Sequence, residues 1–226
     1  MKKLLHIIAT PRGKESHTLK VSESFLEAFA KKYPKCVIDT LNVTEEELPA
    51  LGVKTVQGKY ALLSGKDLSG PLAKAWEPVK KHIGRFLSAD AYLISTPMWN
   101  FSIPYPLKHY IDIIVQPRYL FRYTDKGVEG LVKNKKMLII TSKGGDYSTG
   151  SPMRPYDFEE TYLHWIFSFV GMTDISFINA QPMDAFGPDV AEKKIEEAKV
   201  LAKKSAEEWQ EVQSGDKSTE IKSGRT

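Results

Sequence analysis

Three short segments carry the residue types needed to hold a flat, charged ligand. One is Thr96-Pro-Met-Trp-Asn-Phe-Ser-Ile-Pro104, where Pro97 and Pro104 bracket Met98, Trp99, Asn100 and Phe101. Each proline restricts its own φ and disfavours helix at the residue before it, so large apolar groups and an amide sit on a stiffened loop. They suit a planar, hydrogen-bonding ring such as a flavin; the alternative is a turn that packs its own aromatics. The second segment is Thr10-Pro-Arg-Gly-Lys-Glu-Ser-His-Thr18, in which Ser16, His17 and Thr18 stand where a helix begins. Unpaired N–H groups and the positive dipole end of a helix hold phosphate well. Thr10, Ser16 and Thr18 add hydroxyls and Arg12 adds charge, although hydroxyls also cap helices without any ligand. No Gly-Lys-Ser/Thr closes the loop and no glycine-rich dinucleotide fingerprint is present, so a monoester phosphate such as that of FMN fits better. The third segment is Thr141-Ser-Lys-Gly-Gly-Asp-Tyr147. Its Gly144 and Gly145 let backbone approach a flat ligand and permit φ > 0, and N–H groups there suit the negative N1/O2 side of a reduced flavin; the alternative is a plain glycine turn.

These segments need a frame that brings them together. Apolar runs at Leu4–Ala9, Val37–Leu41, Ala89–Ser95, Lys136–Ser142 and Asp174–Asn179 read as strands. Helices fit near residues 16–33, 72–87, 105–114, 158–169 and 189–213. In the first helix the expected stripe is Leu19, Ser22/Glu23, Leu26 and Phe29/Ala30, with Phe25 adjoining. In the last it is Ile195, Ala198, Leu201/Ala202 and Trp209/Val212, with Lys and Glu filling a solvated face. Alternating strands and helices predict an α/β protein with a doubly wound, five-stranded parallel sheet of order 2-1-3-4-5 and helices on both faces. The segments following strands 1, 3 and 4 then converge on one edge, where open α/β sheets bind ligands. Thr44–Ser69 is long for a connection and carries only a weak helical pattern (Val56, Tyr60, Leu63), and Gln116–Leu131, with its Asp-Lys-Gly turn signal, predicts a small hairpin. Residues 1–213 are expected to form a single domain, and residues 214–226 a disordered tail or an expression remnant.

Composition narrows the function. A net charge of +4 without a run of five like charges does not indicate a nucleic-acid surface. A single cysteine, Cys36, excludes an internal disulfide and makes a cysteine-rich metal site implausible. The five histidines lack metal-ligand spacing, so no metal is expected and most read as surface or packing residues, with His17 the exception. No run approaches a membrane span. The apolar N-terminus is interrupted by His6 and followed by Thr-Pro-Arg-Gly-Lys, which favours a first strand over a signal peptide, and a cytoplasmic protein is expected.

Thr10-Pro-Arg-Gly…Ser16-His-Thr18, Pro97-Met-Trp-Asn-Phe-Ser-Ile-Pro104, Phe121-Arg-Tyr-Thr124 with Gly127 and Gly130-Leu131, and Ser142-Lys-Gly-Gly145 together resemble the FMN-dependent NAD(P)H azoreductases over roughly residues 1–212. The resemblance implies a flavodoxin-like homodimer that binds FMN and uses NADH or NADPH to reduce quinones and to split aromatic azo compounds by ping-pong two-electron transfer. No side chain is then required as nucleophile or acid/base. By the same resemblance Thr10, Ser16 and Thr18 hold the phosphate, while Met98, Trp99, Asn100 and Phe101 line the ring. Ser142, Gly144 and Gly145 contact its other end, and Phe121 reaches the flavin of the second subunit. Arg12, His17, Pro97, Lys143 and Tyr147 are further cofactor-binding candidates, and Trp99 and Tyr147 join Phe121 as substrate-binding candidates. Thr10, Thr18, Trp99 and Lys143 depart from the commoner Ser, Ser, Tyr and Arg, and Tyr147 stands where some members carry His. The alternatives are a flavodoxin-like nitroaromatic or metal-ion reductase and a non-catalytic flavin electron carrier or sensor. Carriers are usually shorter and strongly acidic, unlike this chain with pI near 8.9.

Overall fold

The computed structural model describes residues 1–210. Residues 211–213 of the expected last helix and the expected tail lie outside the described residues. Five parallel strands, β1 (Lys3–Ile8), β2 (Val37–Asn42), β3 (Ala91–Pro97), β6 (Lys136–Ser142) and β7 (Asp174–Ala180), lie in the order β2-β1-β3-β6-β7. This is the expected 2-1-3-4-5 core. β4 (Phe121–Thr124) and β5 (Gly127–Gly130) form the separate antiparallel hairpin, turning at Gly127 with φ +107°.

Apolar runs become central strands because both faces are covered. Leu5, Ile7, Tyr92, Ile94, Met137 and Ile139 pack toward α3 (Gly70–Leu87), α4 (Tyr105–Ile114) and α5 (Phe158–Phe169). Leu4, Leu93, Leu138 and Ile140 pack toward α1 (His17–Lys32) and α6 (Pro188–Glu207). Each fully buried Leu or Ile contributes about 1.5–3 kcal/mol relative to exposure, and this holds the strand ends that carry the loops. Phe25, Phe29 and Trp209 seal α1 against the segment just after α6, with Phe25 and Phe29 centroids 5.4 and 5.8 Å from Trp209.

The structure corrects three helix readings. The buried stripe of α1 is Thr18, Val21, Ser22, Phe25, Ala28 and Phe29, so Phe25 lies at its centre rather than beside it. In α6, Leu201 is exposed, and Ala202 and Ala206 take the buried positions. The connection before α3 contains a full helix, α2 (Val53–Leu63). Val56, Tyr60 and Leu63 form its exposed side; Thr55, Gly58 and Leu62 are buried. Gly58 is needed there because a Cβ would run into the Trp76 indole, whose Nε1 donates to the Thr55 carbonyl at 2.9 Å. A stripe built from a threonine and a glycine gives almost no hydrophobic periodicity.

Candidate functional site

The chain leaves β1 and β3 toward opposite faces of the sheet, which opens a crevice at the carboxyl ends of these strands. The loops after β1, β3 and β6 meet there. Ala9 N–H donates to Ser95 O (2.9 Å) and Met98 N–H to Ser142 O (2.9 Å). The hydroxyls of Thr18 and Ser142 lie 2.7 Å apart. Segments distant in sequence are thereby fixed to one another.

The loop after β1 runs through a 3-10 turn (Gly13–Glu15) into α1, whose N-cap is Ser16, with its Oγ accepting from Leu19 N. Thr10 and Ser16 are buried, and Arg12 is exposed with its N–H donating to Thr10 Oγ1. Nδ1 of His17 is buried and, among the described residues, has no protein partner. Burial, then the Arg12 and Lys20 cations, lower the His17 pKa, which favours the neutral ring. Thr18 is fixed from below by a chain of buried groups. Ser22 Oγ donates to Thr18 O at 2.9 Å, Ser95 Oγ lies 2.6 Å from Ser22 Oγ, and His6 Nε2 lies 2.7 Å from Ser95 Oγ. A carbonyl only accepts, so Ser22 spends its proton on Thr18 O and must accept from Ser95. Ser95 in turn accepts from His6, which carries its proton on Nε2. Burial pulls the His6 pKa down to about 4.

After β3, Trp99 N–H donates to Ser102 O (2.8 Å) and Ser102 N–H to Trp99 O (2.9 Å), closing a two-residue turn. Asn100 at φ +47° and Phe101 at φ +70° both occupy left-handed backbone, as a type I′ turn requires. Asn tolerates this region; for Phe it costs about 1–2 kcal/mol. The strain turns three side chains outward, leaving Trp99 37% and Phe101 45% exposed with Asn100 between them. Phe158 N–H donates to Phe101 O at 3.0 Å and holds the strained residue. Pro97 pairs with Ser142 in the sheet register. Beside the turn is a cleft of about 450 Å3 lined by Trp99, Asn100, Ile103, Tyr105, Lys108 and Tyr162.

In the loop after β6 neither Gly144 nor Gly145 has a positive φ, contrary to one sequence expectation. Close approach explains them instead. A Cβ on Gly144 would meet the Asp184 carboxylate at 2.6 Å, and one on Gly145 would meet the Tyr147 ring at 3.3 Å. Among the described residues their N–H groups donate to no protein acceptor. Tyr147 is buried behind Gly145, with its N–H on Gln181 Oε1, and burial followed by the Asp157 and Glu159 charges raises its pKa.

Two candidates stand away from this crevice surface. Lys143 is fully buried, its ammonium 2.6 Å from Asp157, so its side chain is not offered to a cofactor. Phe121 is buried against Phe169 (centroids 4.9 Å apart), in a cleft of about 420 Å3 with Val56, Tyr60, Trp76 and Ile111 that shares no lining residue with the cleft beside the Trp99–Ser102 turn. Sequence reasoning missed Ser22 and Ser95, polar interruptions of apolar stripes that mark a buried network. It also missed Asp157, whose Asp-x-x-Glu spacing to Glu160 signals a helix N-cap. Asp157 Oδ1 accepts from Glu160 N at 3.0 Å. No group of three or more His, Cys, Asp or Glu able to hold a metal occurs among the described residues, and no helix among them is long and apolar enough to cross a membrane.

FMN fits the donors on this edge: buried hydroxyls and first-turn N–H groups for a phosphate, apolar side chains with an amide for a ring, and free N–H groups for its polar end. A doubly wound sheet with three loops tied together at this switch point defines a flavodoxin-like protein, and a profile described as flavodoxin-like fold matches residues 2–205. FMN-dependent NADH:quinone oxidoreductase of Nitratidesulfovibrio vulgaris (strain DP4) is 40% identical over 209 residues, covering 92% of this chain and 100% of the relative. The protein of the same name from Coprothermobacter proteolyticus is 37% identical over 210 residues, with 92% and 100% covered. Among solved structures, the azoreductase from Bacillus anthracis str. Sterne has a TM-score of 0.84 at 30% identity, covering 92% of this chain and 100% of that one. The chain belongs to the FMN-dependent NADH:quinone oxidoreductase family within the flavodoxin-like fold.

Proposed function

We propose that this protein is an FMN-dependent NADH:quinone oxidoreductase that also cleaves aromatic azo compounds. The observation that carries the reading is the meeting of three loops with complementary donors at the β1/β3 switch point. It is supported by full-length similarity to relatives bearing that name and by likeness to an FMN-dependent NADH-azoreductase solved with FMN (TM-score 0.78, 29% identity, 91% of this chain and 100% of that one). In this reading Thr10, Ser16, Thr18 and the first-turn N–H groups of α1 hold the phosphate. His17 closes beside them, and Arg12 adds charge from the surface. Met98, Trp99, Asn100 and Phe101 form the ring wall behind Pro97, with Asn100 bonding a polar edge. Gly144 and Gly145 direct their N–H groups at the end that becomes negative on reduction, Ser142 joins the loops, and Tyr147 backs the glycines. FMN, when bound, supplies the two-electron chemistry between NADH and the acceptor in a ping-pong cycle. The protein orients the stacked partners and shields them from water.

The working form is proposed to be a homodimer in which Phe121 of the second copy covers the crevice. Exposed Val56 (42%), Tyr60 (64%) and Phe169 (38%), which line the Phe121 cleft, support an apolar contact there. Reduced nicotinamide as electron donor makes the cytoplasm its working compartment. Purified protein loaded with FMN should consume NADH when menadione or methyl red is added, and should bleach the dye. Oxidation of neither NADH nor NADPH would overturn the enzyme reading. A fully active monomer in sedimentation at micromolar concentration would overturn the dimer. Asn100→Ala should weaken FMN binding or turnover; unchanged values for both would remove its assigned role.

A further inference from the structure

Lys143 directly follows Ser142 at the floor of the crevice, yet its side chain turns into the protein. Its Nζ lies 2.6 Å from Asp157 Oδ2 and 3.5 Å from Glu160 Oε2, and side chains 143 and 157 are 0% and 1% exposed. Its backbone is committed as well, the N–H to Ala180 O (3.0 Å) and the carbonyl to Met183 N (2.9 Å). Arg154 Nη1 reaches both Asp157 Oδ2 and Glu160 Oε2 at 3.1 Å. Two cations therefore face two carboxylates. A third carboxyl, Glu159, is fully buried with no hydrogen-bond partner among the described residues.

The consequence lies one residue further on. Asp157 caps α5, and Phe158, next in the chain, donates its N–H to the carbonyl of the left-handed Phe101. A covalent and hydrogen-bonded path thus runs from Gly144 through Lys143, Asp157 and Phe158 to Phe101. Its ends are the two walls between which the flavin ring would lie. We infer that Lys143 and Asp157 are positioning residues that set the separation and tilt of those walls, an inference that rests on the proposed FMN site. A buried ion pair suits this role because separating its partners would leave an uncompensated charge in the core. Phe101 is the element most in need of such a hold, since its backbone is strained.

The link can be cut without cutting the fold. Phe158 is the first residue of α5, where a helix accepts proline because that N–H has no intrahelical partner. Its ring is 54% exposed. Phe158→Ala removes the ring and keeps the N–H; Phe158→Pro removes both, so the difference between the two variants isolates the bond to Phe101. We expect Phe158→Pro to bind FMN about tenfold more weakly than Phe158→Ala, with an altered flavin circular dichroism band, while the FMN-free protein still unfolds in one cooperative transition. Lys143→Met with Asp157→Asn removes both charges at similar volume and should produce the same spectroscopic change, whereas Lys143→Arg should retain the wild-type spectrum. If Phe158→Pro matches Phe158→Ala, or the double variant keeps wild-type FMN affinity and flavin spectrum, the positioning role is wrong. If the wild-type protein itself binds no FMN, the proposed function fails and this inference with it.

Discussion

His6 offers a measurable test of the buried network beneath the crevice. It lies on β1, is only 3% exposed and is held to Ser95 at 2.7 Å. Its pKa falls from 6.5 in the unfolded chain to about 4 in the folded one. The unfolded chain therefore binds a proton in a window where the folded chain does not, and stability rises with pH across it. The contribution is complete above about pH 6.5, is lost as pH falls, and levels off below about pH 4. At about 1.4 kcal/mol per pKa unit the whole window is worth about 3 kcal/mol, of which about 2 kcal/mol is lost by about pH 5. His6→Gln replaces the ring with a non-titrating amide that can still donate toward Ser95. Urea unfolding of both proteins at about pH 7.5 and about pH 5 gives the comparison, and groups that titrate in both cancel in the difference. Wild type should lose about 2 kcal/mol more than the variant between the two conditions. Equal losses would refute a neutral, buried His6, and with it the one-way hydrogen-bond chain that ends at Thr18.

Glu159 should show the opposite slope. Burial, offset in part by Lys143, raises its pKa well above 4.5, so the folded chain keeps a proton that the unfolded chain releases. Its effect is fully favourable below about pH 4.5 and declines by about 1.4 kcal/mol per pH unit until the folded carboxyl ionises. Glu159→Gln should therefore gain stability relative to wild type as pH rises above that value in urea melts, and a difference independent of pH would exclude a buried neutral acid. Thr18→Val keeps the shape of a fully buried residue and removes the hydroxyl 2.7 Å from Ser142. It should weaken FMN binding in a fluorescence titration by about tenfold, equivalent to about 1.4 kcal/mol; unchanged affinity would exclude Thr18 from the phosphate site.

Strands were legible because burial on both faces leaves continuous apolar runs, and their alternation with helices allowed few topologies. The positions of the three loops followed from that order. Their internal geometry did not. Asn100-Phe101 lacks the Asn-Gly signature of a left-handed turn, and its conformation is held by the Trp99–Ser102 bonds and by Phe158 at the start of α5. α2 was hidden because its buried face is made of Thr55, Gly58 and Leu62, of which only Leu62 is large and apolar, and Gly58 is dictated by the Trp76 indole rather than by hydrophobicity. Lys143 beside two glycines read as a charge offered to a ligand. Its partner Asp157 is fourteen positions away, and nothing in a linear pattern reports a contact across that span.

The two buried networks reach the crevice from opposite faces of the sheet. The hydroxyl chain rises from the α1 side through Ser95 and Ser22 to Thr18, and the ion-paired cluster rises from the α5 side through Asp157 to Phe101. They meet at adjacent residues, since Ser142 contacts Thr18 and Met98 while Lys143 contacts Asp157. Loops without regular hydrogen bonding would otherwise retain conformational freedom that ligand binding must remove. Anchoring them to the rigid end of β6 places that ordering cost in folding, so binding meets walls already in place. The same arrangement explains why polar groups are buried here at all. An apolar floor could fill the space, but it would not fix the direction of a Thr18 carbonyl or a Phe101 carbonyl. Directional bonds do that, and they require a neutral His6 and a paired Lys143 within the core.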